Sequence, residues 1–153
     1  MQVRGFTVGP LQENCYVLHE AGRAVVIDPG DEPERLLAAI TAFEVRVEAI
    51  LLTHTHFDHV GAVAPLAAAT GAPVWCPALE REVLANINDY VPWPGFGPFE
   101  SYDADHLVSG GERLELAGLA IDVHFTPGHS PGHMGPTTLG RERATNPFLQ
   151  ELV

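Results

Sequence analysis

The first half of the chain alternates short apolar runs with amphipathic stretches. Val3–Val8 and Asn14–Leu18 read as strands, the second entered through the turn pair Gly9-Pro10. Ala24–Ile27 is an unbroken apolar run stopped by Asp28-Pro29-Gly30, which predicts a buried strand ending in a turn. Across Glu32–Phe43, the residues Leu36, Leu37, Ile40 and Phe43 recur at helical spacing, and Pro33 suits a first turn. Val47–Leu52 predicts a second buried strand, leading straight into a histidine-rich segment. His59–Thr70 is alanine-rich and periodic and stops at Gly71, as a helix with a glycine terminus does. Ala72–Cys76 then predicts a strand and Leu79–Asn86 a helix.

The pattern changes at Asn88–Asp105, where Tyr90, Trp93, Phe96, Phe99 and Tyr102 sit among prolines and glycines without any period. A loop is expected, its aromatics either tucked onto the core or rimming a pocket. Glu112–Leu116 and Leu119–Phe125 predict two strands joined by a tight turn at Ala117-Gly118. Thr126–His133 predicts a rigid loop, and a short helix is expected at Leu139–Thr145 before Asn146-Pro147. Together these elements predict one α/β domain over 1–153, with a core at 1–135 and a C-terminal tail at 136–153.

Composition narrows the function classes. At 153 residues and 46% hydrophobic, the chain supports one core. No apolar run approaches the length of a bilayer span, so no membrane partner is expected. Met1–Pro10 lacks the basic-then-apolar profile of a secretory signal, and a cytoplasmic location is expected. The net charge of −12 opposes nucleic-acid binding, which needs a cationic footprint. Cys15 and Cys76 lie far apart and outside any CxxC pattern, as buried core thiols do.

Histidine is the outlier. Of eight, five fall in two short segments, Thr53-His54-Thr55-His56-Phe57-Asp58-His59 and Thr126-Pro127-Gly128-His129-Ser130-Pro131-Gly132-His133. His19, His106 and His124 are read as surface or capped residues. His54 and His56, two apart after a strand, can share one cation, while Asp58 and His59 can hold a second. Nitrogen donors with one hard oxygen suit zinc first, with iron or manganese as substitutes.

Thr-His-x-His-x-Asp-His after an apolar strand resembles the signature of the metallo-β-lactamase superfamily. Gly9-Pro10-Leu11-Gln12-Glu13-Asn14-Cys15-Tyr16, Val26-Ile27-Asp28-Pro29-Gly30, the Thr126–His133 loop and the ending Pro136–Arg143 with Asn146-Pro147-Phe148 resemble its glyoxalase II-like (hydroxyacylglutathione hydrolase-like) branch. The resemblance implies an αββα sandwich with the metals at one edge. It implies one or two zinc ions, the first held by His54, His56 and His129 and the second partly by Asp58 and His59. Asp28 resembles an aspartate that orients ligands, or caps a turn before Pro29. The implied chemistry is metal-assisted hydrolysis of a small-molecule thioester such as a hydroxyacylglutathione, with Asp58 orienting the nucleophile or accepting its proton.

One departure matters. In the resembled branch a Gly-Asp supplies an aspartate that bridges both metals, and a later Gly-His completes the second site. Here Gly132-His133-Met134-Gly135 runs directly into the tail, and no aspartate follows Asp122. The chain resembles a member with an internal segment missing after His133, its second sheet incomplete. His133 is either the second histidine of this loop or the remainder of the later Gly-His. The alternative to a hydrolase is a metal-binding remnant without turnover, with homo-oligomerisation through exposed sheet.

Overall fold

The computed structural model describes residues 1–135, so the expected helix at Leu139–Thr145 lies outside the described residues. Its frame is a six-stranded sheet whose spatial order follows the chain. The strands are β1 (Gln2–Val8), β2 (Glu13–Glu20), β3 (Arg23–Ile27), β4 (Arg46–Leu51), β5 (Val74–Pro77) and β6 (His106–Val108). β1, β2 and β3 are antiparallel neighbours, whereas β3 to β6 run parallel.

Both faces of this sheet are covered, which is why its central strands read as unbroken apolar runs. In β3, Ala24 and Val26 face the helical layer, while Val25 and Ile27 face the opposite layer. β4 breaks this alternation. Its pairing to β3 slips by one residue after Val47, so Val47 and Ile50, three apart, both join the helix-side core.

The helical layer comprises α1 (Pro33–Ala42), α2 (Phe57–Val60), α3 (Val63–Thr70) and α4 (Arg81–Ala85). Pro33 opens α1 and Gly71 closes α3 in the left-handed conformation, its N–H donating to the Ala67 carbonyl, as the sequence predicts. The single helix expected at His59–Thr70 is instead two. Its break at Gly61-Ala62 is imposed from outside, because the Gly30 carbonyl occupies the space that a Cβ on Gly61 would take and the Ala62 N–H donates to the Pro29 carbonyl. The helix expected over Leu79–Asn86 shortens to α4, preceded by a 3-10 turn at Ala78–Glu80.

The second layer is small. β7 (Arg113–Leu116) and β8 (Leu119–Asp122) form the predicted hairpin, with Ala117 and Gly118 both at positive φ, and β8 lays Leu119 and Ile121 on the main sheet. The strand expected over Leu119–Phe125 breaks at Val123, whose N–H donates to the Glu112 carbonyl. Beyond the break, β9 (His124–Phe125) pairs with an unpredicted β10 (Met134–Gly135). Among the described residues the second layer is thus two small antiparallel pieces of two strands each. β6 was also invisible to periodicity, being three residues at the end of the aromatic segment. Its His106 is exposed as expected but stacks on Trp75, with ring centroids 4.2 Å apart. Cys15 and Cys76 are free and buried.

Candidate metal centre

Adjacent parallel strands end on one edge of the sheet, and each delivers a polar residue there. Asp28 follows β3, Thr53–His59 follows β4 and Glu80 follows β5. Such carboxyl ends are where open α/β sheets bind ligands. The Thr126–His133 loop comes in from the second layer and is held against the β4 exit by the Met134 N–H, which donates to the Thr53 carbonyl (2.8 Å).

Three of the sequence-predicted ligands converge there. His54 Nε2 lies 3.1 Å from His56 Nδ1, which lies 3.1 Å from His129 Nε2. Zinc–nitrogen bonds of about 2.05 Å at tetrahedral angles put donors roughly 3.3 Å apart, close to both of these spacings. His54 is buried, at 2% exposure, whereas His56 and His129 are open to solvent on the cleft side. Burial and then the neighbouring imidazoles push the His54 pKa down to about 2, and burial lowers that of His56. Both rings are therefore neutral, as ligands need to be.

Hydrogen bonds fix which nitrogen of His54 is free. The Thr53 hydroxyl donates to Asp28 Oδ2 (2.6 Å), so it can only accept from His54 Nδ1–H (3.0 Å). That leaves the lone pair on Nε2, pointing at His56. Asp28 is itself buried and also accepts from the Thr53 backbone N–H (2.7 Å). Of its two readings, the orienting one matches these contacts.

Asp58 and His59 lie on the other side of His54. His59 Nε2 is 3.8 Å from Asp58 Oδ2, and its Nδ1 is 3.2 Å from Asp28 Oδ2. Burial opposes a charge on His59, but the carboxylates of Asp28, Glu13 and Asp58 outweigh it and raise the pKa. His133 stands behind the triad, its ring 5.0 Å from His54 and its Nδ1 2.9 Å from the Thr126 hydroxyl.

Two buried carboxylates were missed in the sequence. Glu13 sits on the inward face of β2 with Cys15 and Val17, 3.6 Å from His59, and burial pushes its pKa up to about 8. Strand alternation carried that signal, since Glu13, Cys15 and Val17 share a face. Burial works against the Glu80 carboxylate, yet bonds from Thr55, Ser130 and Gly132 hold its pKa below the usual range. No local spacing announces Glu80, because its side-chain partners lie 25 to 52 residues away.

The aromatic segment satisfies both of its readings. Phe96 and Phe99 pack on Phe57, and Asn88 holds the Phe99 backbone through two bonds of 2.8 Å. Trp93 and Tyr90 remain half exposed and line the cleft that opens on His56, Asp58 and His129.

Fold and site together define a metallo-β-lactamase-type α/β architecture with a candidate histidine metal site at its sheet edge. Residues 8–142 match the metallo-beta-lactamase superfamily, and the chain belongs to that family. It is 30% identical over 138 residues to the hydroxyacylglutathione hydrolase GloC of Haemophilus influenzae, covering 88% of this chain and 65% of that one. Among solved structures, BLEG-1 B3 metallo-beta-lactamase superposes with a TM-score of 0.80 at 34% identity, covering 87% of this chain and 65% of that one. TTHA1623 in a di-iron-bound form gives 0.75 at 41% identity, covering 86% and 64%. The chain spans 63–65% of the length of curated relatives that it matches over most of its own length. Among the described residues no helix is long and apolar enough to cross a membrane.

Proposed function

We propose that this protein is a metal-dependent hydrolase acting on a thioester such as a hydroxyacylglutathione. The observation that carries the reading is the convergence of the His54, His56 and His129 nitrogens, with His56 Nδ1 3.1 Å from each of the other two, at the mouth of an aromatic-walled cleft. These three residues would hold the first ion, and Asp58 with His59 would contribute to a second. Zinc is the first choice for this donor set, and iron the next, given the di-iron form of a 41%-identical neighbour. A bound ion there supplies Lewis-acid polarisation of a carbonyl and acidifies water toward neutral pH.

The chain's own residues do the rest. Asp58 borders the cleft, where its carboxylate orients an attacking water and takes its proton. Asp28 and Thr53 keep His54 in one tautomer. Trp93 and Tyr90 offer flat apolar contact to the acyl or thiol portion of a substrate. A thiolate leaves without strong acid assistance, so metal-assisted attack suits a thioester better than an amide.

A second reading is a metal-binding domain without turnover. It is favoured by the absence of any aspartate after Asp122, and by Asp122 itself pairing with Arg113 on the β7–β8 hairpin. S-lactoylglutathione hydrolysis with excess zinc, compared with His54→Ala, separates the two. Turnover abolished in the variant supports the hydrolase. Equal background rates in both proteins overturn it and leave the metal-binding domain.

A further inference from the structure

We infer that Glu80 is a positioning residue, a buried clasp that sets the gap between the two arms of the histidine triad. The inference rests on the proposed metal site and concerns how the chain prepares it.

The triad is assembled from two segments far apart in sequence. His54 and His56 come from the β4 exit, and His129 comes from the loop between β9 and β10. The Met134–Thr53 backbone bond secures one end of that loop, but Met134 is five residues beyond His129. Nearer to His129, the attachment is Glu80. Its Oε2 accepts from the Thr55 hydroxyl (2.8 Å), and Thr55 is the residue between the two histidines of the first arm. Its Oε1 accepts from the Ser130 hydroxyl (2.8 Å) and the Gly132 N–H (2.8 Å), both of which follow His129 in the second arm.

One carboxylate therefore holds both arms, each through a residue adjacent to a ligand or close to it. Thr55, Glu80 and Ser130 are all buried, so water does not compete for these bonds. Gly132 permits the close approach, since a Cβ there would lie 2.5 Å from Glu80 Cγ. Glu80 itself is anchored by the 3-10 turn after β5, a third strand end. The clasp lies behind the nitrogens and touches none of them, so its effect on a cation passes through ligand placement. Without it, His129 would keep its chemistry but lose its fixed distance to His56.

Zinc affinity by chelator competition tests this, together with the visible spectrum of the cobalt(II)-substituted protein. Glu80→Ala is expected to weaken zinc roughly 10- to 100-fold, in the range known for residues that orient ligands. Its cobalt spectrum should shift toward that of His129→Ala. Glu80→Gln preserves the shape and can keep all three contacts, its amide oxygen accepting from Ser130 and Gly132 while its NH2 donates to the Thr55 hydroxyl, and should stay within about threefold of wild type by the same reasoning. In a His129→Ala background, Glu80→Ala should cause little further loss, because the ligand it places is gone. Wild-type affinity in Glu80→Ala overturns the inference. So does an equal loss with and without His129, which would make Glu80 a support of the fold alone. Should Glu80→Ala fail to fold, Ser130→Ala removes one of the two bonds that tie the same arm to Glu80; it should weaken zinc in the folded protein, and unaltered affinity overturns the inference. A wild-type chain that binds no zinc would instead refute the metal site.

Discussion

Gly30→Ala should separate the two halves of the candidate centre. Gly30 lies where the exit of β3 crosses the chain at Asp58. A Cβ built there overlaps the Asp58 carbonyl oxygen and lies 2.6 Å from Glu13 Oε2 and 2.9 Å from the Asp58 carbonyl carbon. Real Cβ atoms essentially never come within 3.0 Å of such neighbours, and a backbone obstacle cannot swing aside as a side-chain tip can. The Gly30 carbonyl meanwhile fills the space beside Gly61 that a side chain there would take, so the strand exit and α2 are closely packed at this crossing. The relief available is movement of α2, which carries Asp58 and His59. His54 and His56 precede α2 and are pinned separately through Thr53 to Asp28 and through Thr55 to Glu80. A shift on the order of 1 Å at the second pair would cost about a hundredfold in any turnover that needs its alignment. Overpacking of this kind destabilises by about 1–3 kcal/mol, and each kcal/mol lowers the melting temperature by roughly 2–4 °C in a domain of this size. Zinc titration by chelator competition, run beside thermal melting, reads both effects. The first equivalent should bind within about threefold of wild type, and the second should weaken at least tenfold, as for displaced ligands. A variant that melts with wild type and binds both equivalents unchanged would refute this account of the Gly30 contact.

Two further outcomes follow from the same geometry. Thr53→Val keeps the side-chain shape but removes the hydroxyl between Asp28 and His54; zinc affinity should fall about 10- to 100-fold and return in Thr53→Ser, and equal affinity in Thr53→Val would show that the tautomer needs no such lock. Leu36→Ala, at a fully buried position of α1, should cost roughly 3–5 kcal/mol in a denaturant titration, while zinc affinity of the folded protein stays at wild-type level because α1 holds no ligand.

The sequence by itself determined the strands, since two-sided burial demands continuous apolar runs such as Ala24–Ile27 and that demand is local. It also marked His54, His56, Asp58 and His59, because clustered imidazoles at a strand end have few purposes other than a cation, whereas His129 was implied only by the resemblance of its Pro-Gly-His loop to the family. Tight turns and helix stops were equally local, resting on Gly71 and on Ala117-Gly118 at positive φ. Tertiary structure alone decided what depends on distant partners. The break between α2 and α3 comes from Pro29 and Gly30, some thirty residues upstream. β6 and β10 are strands only because β5 and β9 offer edges to them, being too short to show a period of their own. Glu13 and Glu80 gain their meaning from what surrounds them, and those neighbours are brought there by the fold. A carboxylate in a sequence is a surface charge by default; enclosed with three donors from two other segments, Glu80 becomes a fixed point. That difference lies in contacts between strand ends, which pattern along the chain does not encode.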